Sequence, residues 1–228
     1  MKLVYLPVET KSREFDSKCL IALSLINRGV TVLVASSRFR FTNLNLSGVV
    51  LLKSAANFEL QYIKDLKSKQ IKCCALDEEG LVHTGIDREH ALRFSQETIN
   101  ELDQVFFNGR AEKEVLERFY EFSTNKGVIT GNPRFDIYKK NLRSYYSEEA
   151  TLIKKKYGRF ILIPSRFGMV NFDLNSKDAY LSFVTKLFTL SKEDSAIFEG
   201  FEKHTKIIYD AFISLLPKLS RLFPDITI

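Results

Sequence analysis

Short runs of β-branched and apolar residues alternate along the chain with longer segments whose apolar side chains recur every three or four positions. That alternation predicts an α/β domain built on a parallel sheet. Strands are expected at Lys2 to Leu6, Thr31 to Ala35, Gly48 to Lys53, Ile71 to Leu76, Gln104 to Asn108 and Gly127 to Thr130. Phe15, Cys19, Leu23 and Ile26 form one stripe of a helix that Gly29 ends. Asn57 to Lys69 and Arg110 to Ser123 are similarly amphipathic, with Phe58, Leu60, Ile63 and Leu66 in the former and Val115, Leu116, Phe119 and Phe122 in the latter. Six strands with intervening helices make a Rossmann-like domain over residues 1–140. Beyond it the pattern changes: residues 141–158 are polar and charged, a linker with an exposed helix, and "FILIP" (Phe160 to Pro164) opens a second, partial α/β domain over 159–228. Long helices are expected at Ser176 to Ser191 and Glu193 to Leu222. The closing "FPDITI" reads as the entrance to another strand, and a parallel strand needs a neighbour, so the second domain is expected to be incomplete.

Composition narrows the class. The chain has 228 residues, 45% hydrophobic and 12% aromatic, which is globular rather than disordered. A formal charge of +6 suits an anionic partner such as a nucleotide, an anionic polymer or a membrane surface, and equally suits a lysine-rich solvated surface. Cys19, Cys73 and Cys74 form neither a disulfide framework nor a metal-ligand spacing, so they read as core residues of a reduced, cytoplasmic protein. No leader and no apolar run of about 18 residues is present, which predicts a soluble or peripheral chain. Nucleic acid is not an expected partner, because Lys154 to Lys156 is a short basic run without interleaved stacking aromatics.

In open parallel sheets, ligands bind beyond the carboxyl ends of the strands. Three polar clusters fall at such ends: "PVETKSREFD" (Pro7 to Asp16), "DEEG" (Asp77 to Gly80) and "GNPRFD" (Gly131 to Asp136). Adjacent carboxylates raise one another's pKa, which suits proton acceptance near neutral pH, although Asp-Glu-Glu-Gly is also a good exit from a strand. In the first cluster, Thr10 or Ser12 can cap the helix, Glu9 and Glu14 suit its positive end, and Arg13 and Lys18 are able to face an anion. In the third, Gly131 and Pro133 impose a turn across which Arg134 and Asp136 are expected to pair as a hinge. The candidate substrate contacts on this rim are Glu9, Arg13, Asp16, Gly80, Asn132 and Arg134.

"YLPVETKSREFDSK", "ALDEEGLV" and "TGNPRFD", in this order and at these separations, resemble the bacterial surface carbohydrate (surface polysaccharide) biosynthesis protein family, whose members are similar to GT-B glycosyltransferases. "TGNPRFD" alone is also similar to turns in Kdo transferases and CDP-glycerol transferases. "EEG" (Glu78 to Gly80) resembles the two-acid-plus-glycine motif of bacterial sialyltransferases, in which the first acid is the general base. The resemblance implies that Glu78 deprotonates an acceptor hydroxyl, with Glu79 and Asp77 tuning or positioning it, while a CMP-activated nonulosonic acid or Kdo-type sugar is attacked at its anomeric carbon and CMP leaves. No Asp-x-Asp pair for a metal-bound nucleotide is present, in keeping with metal-independent GT-B enzymes, and no cofactor is expected beyond the nucleotide-sugar substrate.

The chain also departs from that pattern. In the related sialyltransferases a His-Pro pair contacts the departing phosphate, yet His83, His90 and His204 are not followed by proline. "PSRFGMVN" (Pro164 to Asn171) offers Ser165, Arg166 and Asn171 as donor contacts, or else a loop that merely packs Phe167 and Met169. The expected activity is glycosyl transfer onto a glycan or lipid-linked glycan acceptor at the inner face of the membrane, with a missing C-terminal domain or partner chain completing the donor half. Two alternatives are a nucleotide-sugar epimerase of GT-B architecture and a non-catalytic glycan- or partner-binding module.

Overall fold

Each of the six β-branched runs becomes a strand of one sheet: β1 Leu3–Val8, β2 Thr31–Ser36, β3 Gly48–Leu52, β4 Lys72–Leu76, β5 Gln104–Phe107 and β6 Gly127–Ile129. The computed structural model describes residues 3–39, 41–43, 47–81, 87, 91, 93–123, 125–165, 167, 170 and 192–228. Every pairing is parallel, and the order across the sheet is β2-β1-β3-β4-β5-β6. The chain therefore moves outward in one direction from β1 to β2, then crosses back to β3 and continues the other way. The switch point lies between β1 and β3.

The period of two in each strand sorts the core into two faces. Leu3, Tyr5, Val50, Leu52, Cys73, Ala75, Val105 and Phe107 pack on one side with Ile63, Leu66, Ile99, Leu102 and Leu116. Those partners come from α2 Leu60–Ser68, from α3 Gln96–Glu101 with the residue after it, and from α4 Arg110–Phe119. Leu6, Leu51 and Leu76 face the other side, against Ala22 of α1 Lys11–Ile26. Cys73 and Cys74 sit back to back across the sheet, and burial pushes their thiols up to about 12 and about 11, so both stay protonated packing groups.

β1 and β3 approach closely where Leu3 pairs with Gly48, and a Cβ on Gly48 would lie 2.2 Å from the Leu3 carbonyl oxygen. Because that oxygen belongs to a paired strand, it cannot swing aside. Gly48→Ala is expected to destabilise the domain by about 1–3 kcal/mol, as overpacking does. Urea unfolding should show a lower midpoint at unchanged slope.

α1 presents the opposite face from the one its apolar stripe predicts. Leu23 is 60% and Ile26 53% exposed, whereas Glu14, Ser17, Lys18 and Ala22 are buried. Two stripes spaced by three and four run along this helix, and a polar partner on the sheet selects the one carrying Glu14 and Lys18. α3 was not anticipated from the periodicity: it is a six-residue polar segment, started by Ser95, whose hydroxyl accepts from the Thr98 N–H.

The chain divides into two compact units, Met1–Tyr145 and Tyr146–Ile228. α5 Pro133–Asp136 closes the first. The second unit includes α6 Ser147–Tyr157, within the segment read as a linker, and α7 Lys192–Leu222. In place of a strand over Phe160 to Pro164 there is a single parallel bridge, Phe160 to Thr227. The Ile161 N–H donates to Thr227 O at 2.8 Å and the Thr227 N–H to Arg159 O at 3.0 Å. The terminal run thus pairs with Phe160 inside its own unit. The helix expected at Ser176 to Ser191 lies outside the described residues.

Candidate functional site

The carboxyl ends of β1, β3, β4, β5 and β6 bring together a dense set of charged side chains. At the end of β1 the chain turns directly into α1, and the Glu9 N–H donates to the Glu14 carboxylate at 2.7 Å. The N-cap residue Thr10 makes no side-chain cap bond, so Glu14 satisfies the helix entrance instead. Glu14 also holds Arg13, whose guanidinium lies 2.7 Å from its Oε1, 3.2 Å from Glu9 and 2.9 Å from Glu79. Lys53, just past β3, is ion-paired with Glu9 and lies 3.4 Å from Glu79.

The three consecutive acids after β4 have three different environments. Asp77 accepts the Glu79 N–H at 3.1 Å and the Gly80 N–H at 3.0 Å, closing the turn, and Arg93 binds both its oxygens at 2.7 Å. Glu79 is half-exposed. Its partial burial opposes ionisation, but Lys53, Arg13 and Arg93 outweigh that and hold its pKa below the usual carboxylate range.

Glu78 is 2% exposed, and its Oε1 lies 2.6 Å from Nζ of Lys18, which is wholly buried. Burial raises the Glu78 pKa and the Lys18 ammonium only partly offsets it. Among the described residues its second oxygen, Oε2, has no hydrogen-bond partner, and the Lys18 ammonium, close as it lies to Oε1, has none that meets hydrogen-bond geometry.

Backbone contacts fix Glu78 in place. Its N–H donates to Lys53 O at 3.2 Å, and Arg134 Nη1 donates to its carbonyl at 2.7 Å. The expected Arg134 to Asp136 hinge pair does not form: Asp136 pairs with Lys139 at 2.6 Å, because the Asn132-capped turn aims Arg134 back at the acids. Asn132, buried, donates to Asn108 at 2.8 Å, and Asn108 in turn bonds Glu112 and, at 3.2 Å, the Asp77 carbonyl. The rim therefore carries Glu9, Glu14, Asp77, Glu78 and Glu79 against Arg13, Lys18, Lys53, Arg93 and Arg134, a balance of charge.

Of the residues singled out by sequence, Glu9, Arg13, Asp77, Glu78, Glu79, Gly80, Asn132 and Arg134 share this network. Asp16 is half-buried in α1. Ser165 belongs to the second unit, where it lines a cavity of about 860 Å³ with Phe167, Tyr209 and Phe212. Arg166, Asn171, His83 and His90 lie outside the described residues, and His204 is exposed on α7. Lys53, Arg93 and Asn108 were missed as site residues. Lys53 and Asn108 were legible as strand-end positions, whereas Arg93 lies in a stretch without a periodic signal. Among the described residues, no three His, Cys, Asp or Glu side chains are placed to hold a metal ion.

No protein-family model matches the chain, and no curated protein matches it. Among solved structures, a conserved protein from Enterococcus faecalis V583 is similar at 12% identity, over 63% of this chain and 99% of that one, with a TM-score of 0.29. A likeness that weak bears on neither fold nor function.

Proposed function

We propose that this chain carries the acceptor-side domain of a GT-B-like glycosyltransferase of bacterial surface polysaccharide biosynthesis, using a CMP-activated nonulosonic acid or Kdo-type donor and a glycan acceptor. The observation that carries the reading is Glu78 Oε2, a buried carboxylate oxygen without a donor among the described residues, on a group whose pKa is raised, beside the switch point of a parallel sheet. A general base works best with a pKa near the operating pH, and a hydroxyl at hydrogen-bond distance would supply the donor that oxygen lacks.

In the proposed step the acceptor O–H proton passes to Glu78. The oxygen forms a bond to the anomeric carbon, the bond from that carbon to the phosphate oxygen breaks, and CMP departs with the electron pair. Lys18 favours the ionised form of Glu78 before the step, and Arg134 positions its backbone. Since Glu78 is 2% exposed, the acceptor has to part the rim side chains to reach it. No helix among the described residues is long and apolar enough to cross a membrane. Action in the cytoplasm, on an acceptor at the inner face of the membrane, is part of the same proposal.

One observation favours a second reading, a non-catalytic glycan- or partner-binding module: each acid of the rim has a cationic neighbour, which is also how a structural ion-pair network is built. Calorimetric titration with CMP, CDP and UDP separates the two. CMP or CDP is expected to bind at least about tenfold more tightly than UDP. Absence of any cytidine preference, both in this chain and in one extended by a donor-side half, overturns the transferase reading and leaves the module.

A further inference from the structure

Beside the charged rim, a cavity of about 210 Å³ opens between the ends of β1, β2 and β3. Its lining includes Tyr5, Glu9, Lys53, Phe58, Glu59 and Tyr62. The walls are held from behind. Tyr5 stacks on Phe41 at 5.4 Å between centroids, and its hydroxyl donates to the carbonyls of Ser36 and Phe39, while the Tyr62 hydroxyl accepts from the Phe41 N–H at 3.2 Å. Phe58 stands apart, 72% exposed in the short 3₁₀ turn Asn57–Glu59, the one large apolar side chain of that turn. Its ring adds little to the core and instead forms a wall of the cavity.

We infer that this cavity is a subsite for a single uncharged sugar ring, with one pyranose face against Phe58 and its hydroxyls toward Glu9, Glu59 and Lys53. Three observations lead there. The volume lies below the roughly 300–1,000 Å³ typical of drug-sized ligands, so it admits one ring and not a nucleotide-sugar. An aromatic wall with a few polar groups suits a pyranose, whose ring C–H bonds carry partial positive charge toward the negative face of an aromatic ring while its hydroxyls seek carboxylates. Carboxylates outnumber the single ammonium in the lining, which repels an anionic sugar or a phosphate.

The position matches the chemistry. Lys53 lines the cavity, and its carbonyl accepts the Glu78 N–H, so the subsite abuts the backbone of the buried acid. The identity of the ring as the acceptor rests on the glycosyltransferase reading above; the presence of the ring does not.

The chain contains no tryptophan, so Phe58→Trp places one emission reporter on the cavity wall. Titration with a panel of neutral methyl pyranosides is expected to give a saturable emission change with at least one of them. Saturation-transfer NMR on the unsubstituted protein should detect the same sugar. Phe58→Ala, with an unchanged circular dichroism spectrum because the side chain is exposed, should weaken it by about tenfold. The inference is overturned if no pyranoside binds the unsubstituted protein, if Phe58→Ala binds equally well, or if the reporter answers to CMP or an anionic nonulosonic acid instead. Pyranoside binding requires neither donor nor transfer, so it stands if the cytidine titration fails. A positive cytidine titration with no pyranoside bound overturns the subsite alone.

Discussion

Lys18→Met is expected to destabilise the first unit by about 3–5 kcal/mol at neutral pH, because it strips the counterion from a buried carboxylate. Lys18 is wholly buried and Glu78 is 2% exposed, so water cannot replace the lost partner. The pH dependence follows from the direction of the Glu78 shift. Burial already raises its folded-state pKa above the unfolded value, and Lys18 is the chief group opposing that rise. In the variant the folded state binds the Glu78 proton more tightly still than the unfolded chain does.

Stability therefore falls as pH rises through the ordinary carboxylate range up to the raised Glu78 value, and stays low above it. Urea unfolding should show a smaller deficit at a pH within the ordinary carboxylate range than at a pH well above it, and Lys18→Met with Glu78→Leu should recover most of it. A deficit of equal size at both pH values would mean that the lost packing of the lysine stem, and not the charge, is responsible.

Glu78→Gln is expected to lower glycosyl transfer from a CMP-activated sugar by about 100- to 10,000-fold, the range for loss of a general base. Nucleotide affinity should stay within about twofold, which also shows that the variant is folded. Glu79 is the control. Held ionised by Lys53, Arg13 and Arg93, it is a weak base, so Glu79→Gln should leave the acidic limb of the kcat/KM profile in place. That limb is expected to lie above the usual carboxylate range, where the raised Glu78 pKa puts it. Transfer that survives Glu78→Gln would make Glu78 a structural partner of Lys18 and move the general base to another group.

These expectations depend on different kinds of information. The six strands were legible because β-branched runs end at polar clusters and the strand period of two is local. The faces of α2 and α4 were legible in part: Ile63 and Leu66, and Val115 and Leu116, are buried as their spacing requires, whereas Phe58, 72% exposed, and Phe119, 46% exposed, stand off the core. α1 was not, because two stripes compete on it and the choice between them is made by Glu78, sixty positions from Lys18 along the chain. Arg93 was invisible for the same reason: only the fold carries it to Asp77.

By itself, the sequence determined that a parallel α/β sheet would form and that three polar clusters would stand at strand ends, because both follow from neighbours within a few residues. Which acid is buried, which is clamped and which cation meets it was decided only by the tertiary structure. Strand order sets those distances, and burial and charge act through space, so one run of Asp, Glu and Glu becomes a turn lock, a buried acid with a raised pKa and an ionised rim group.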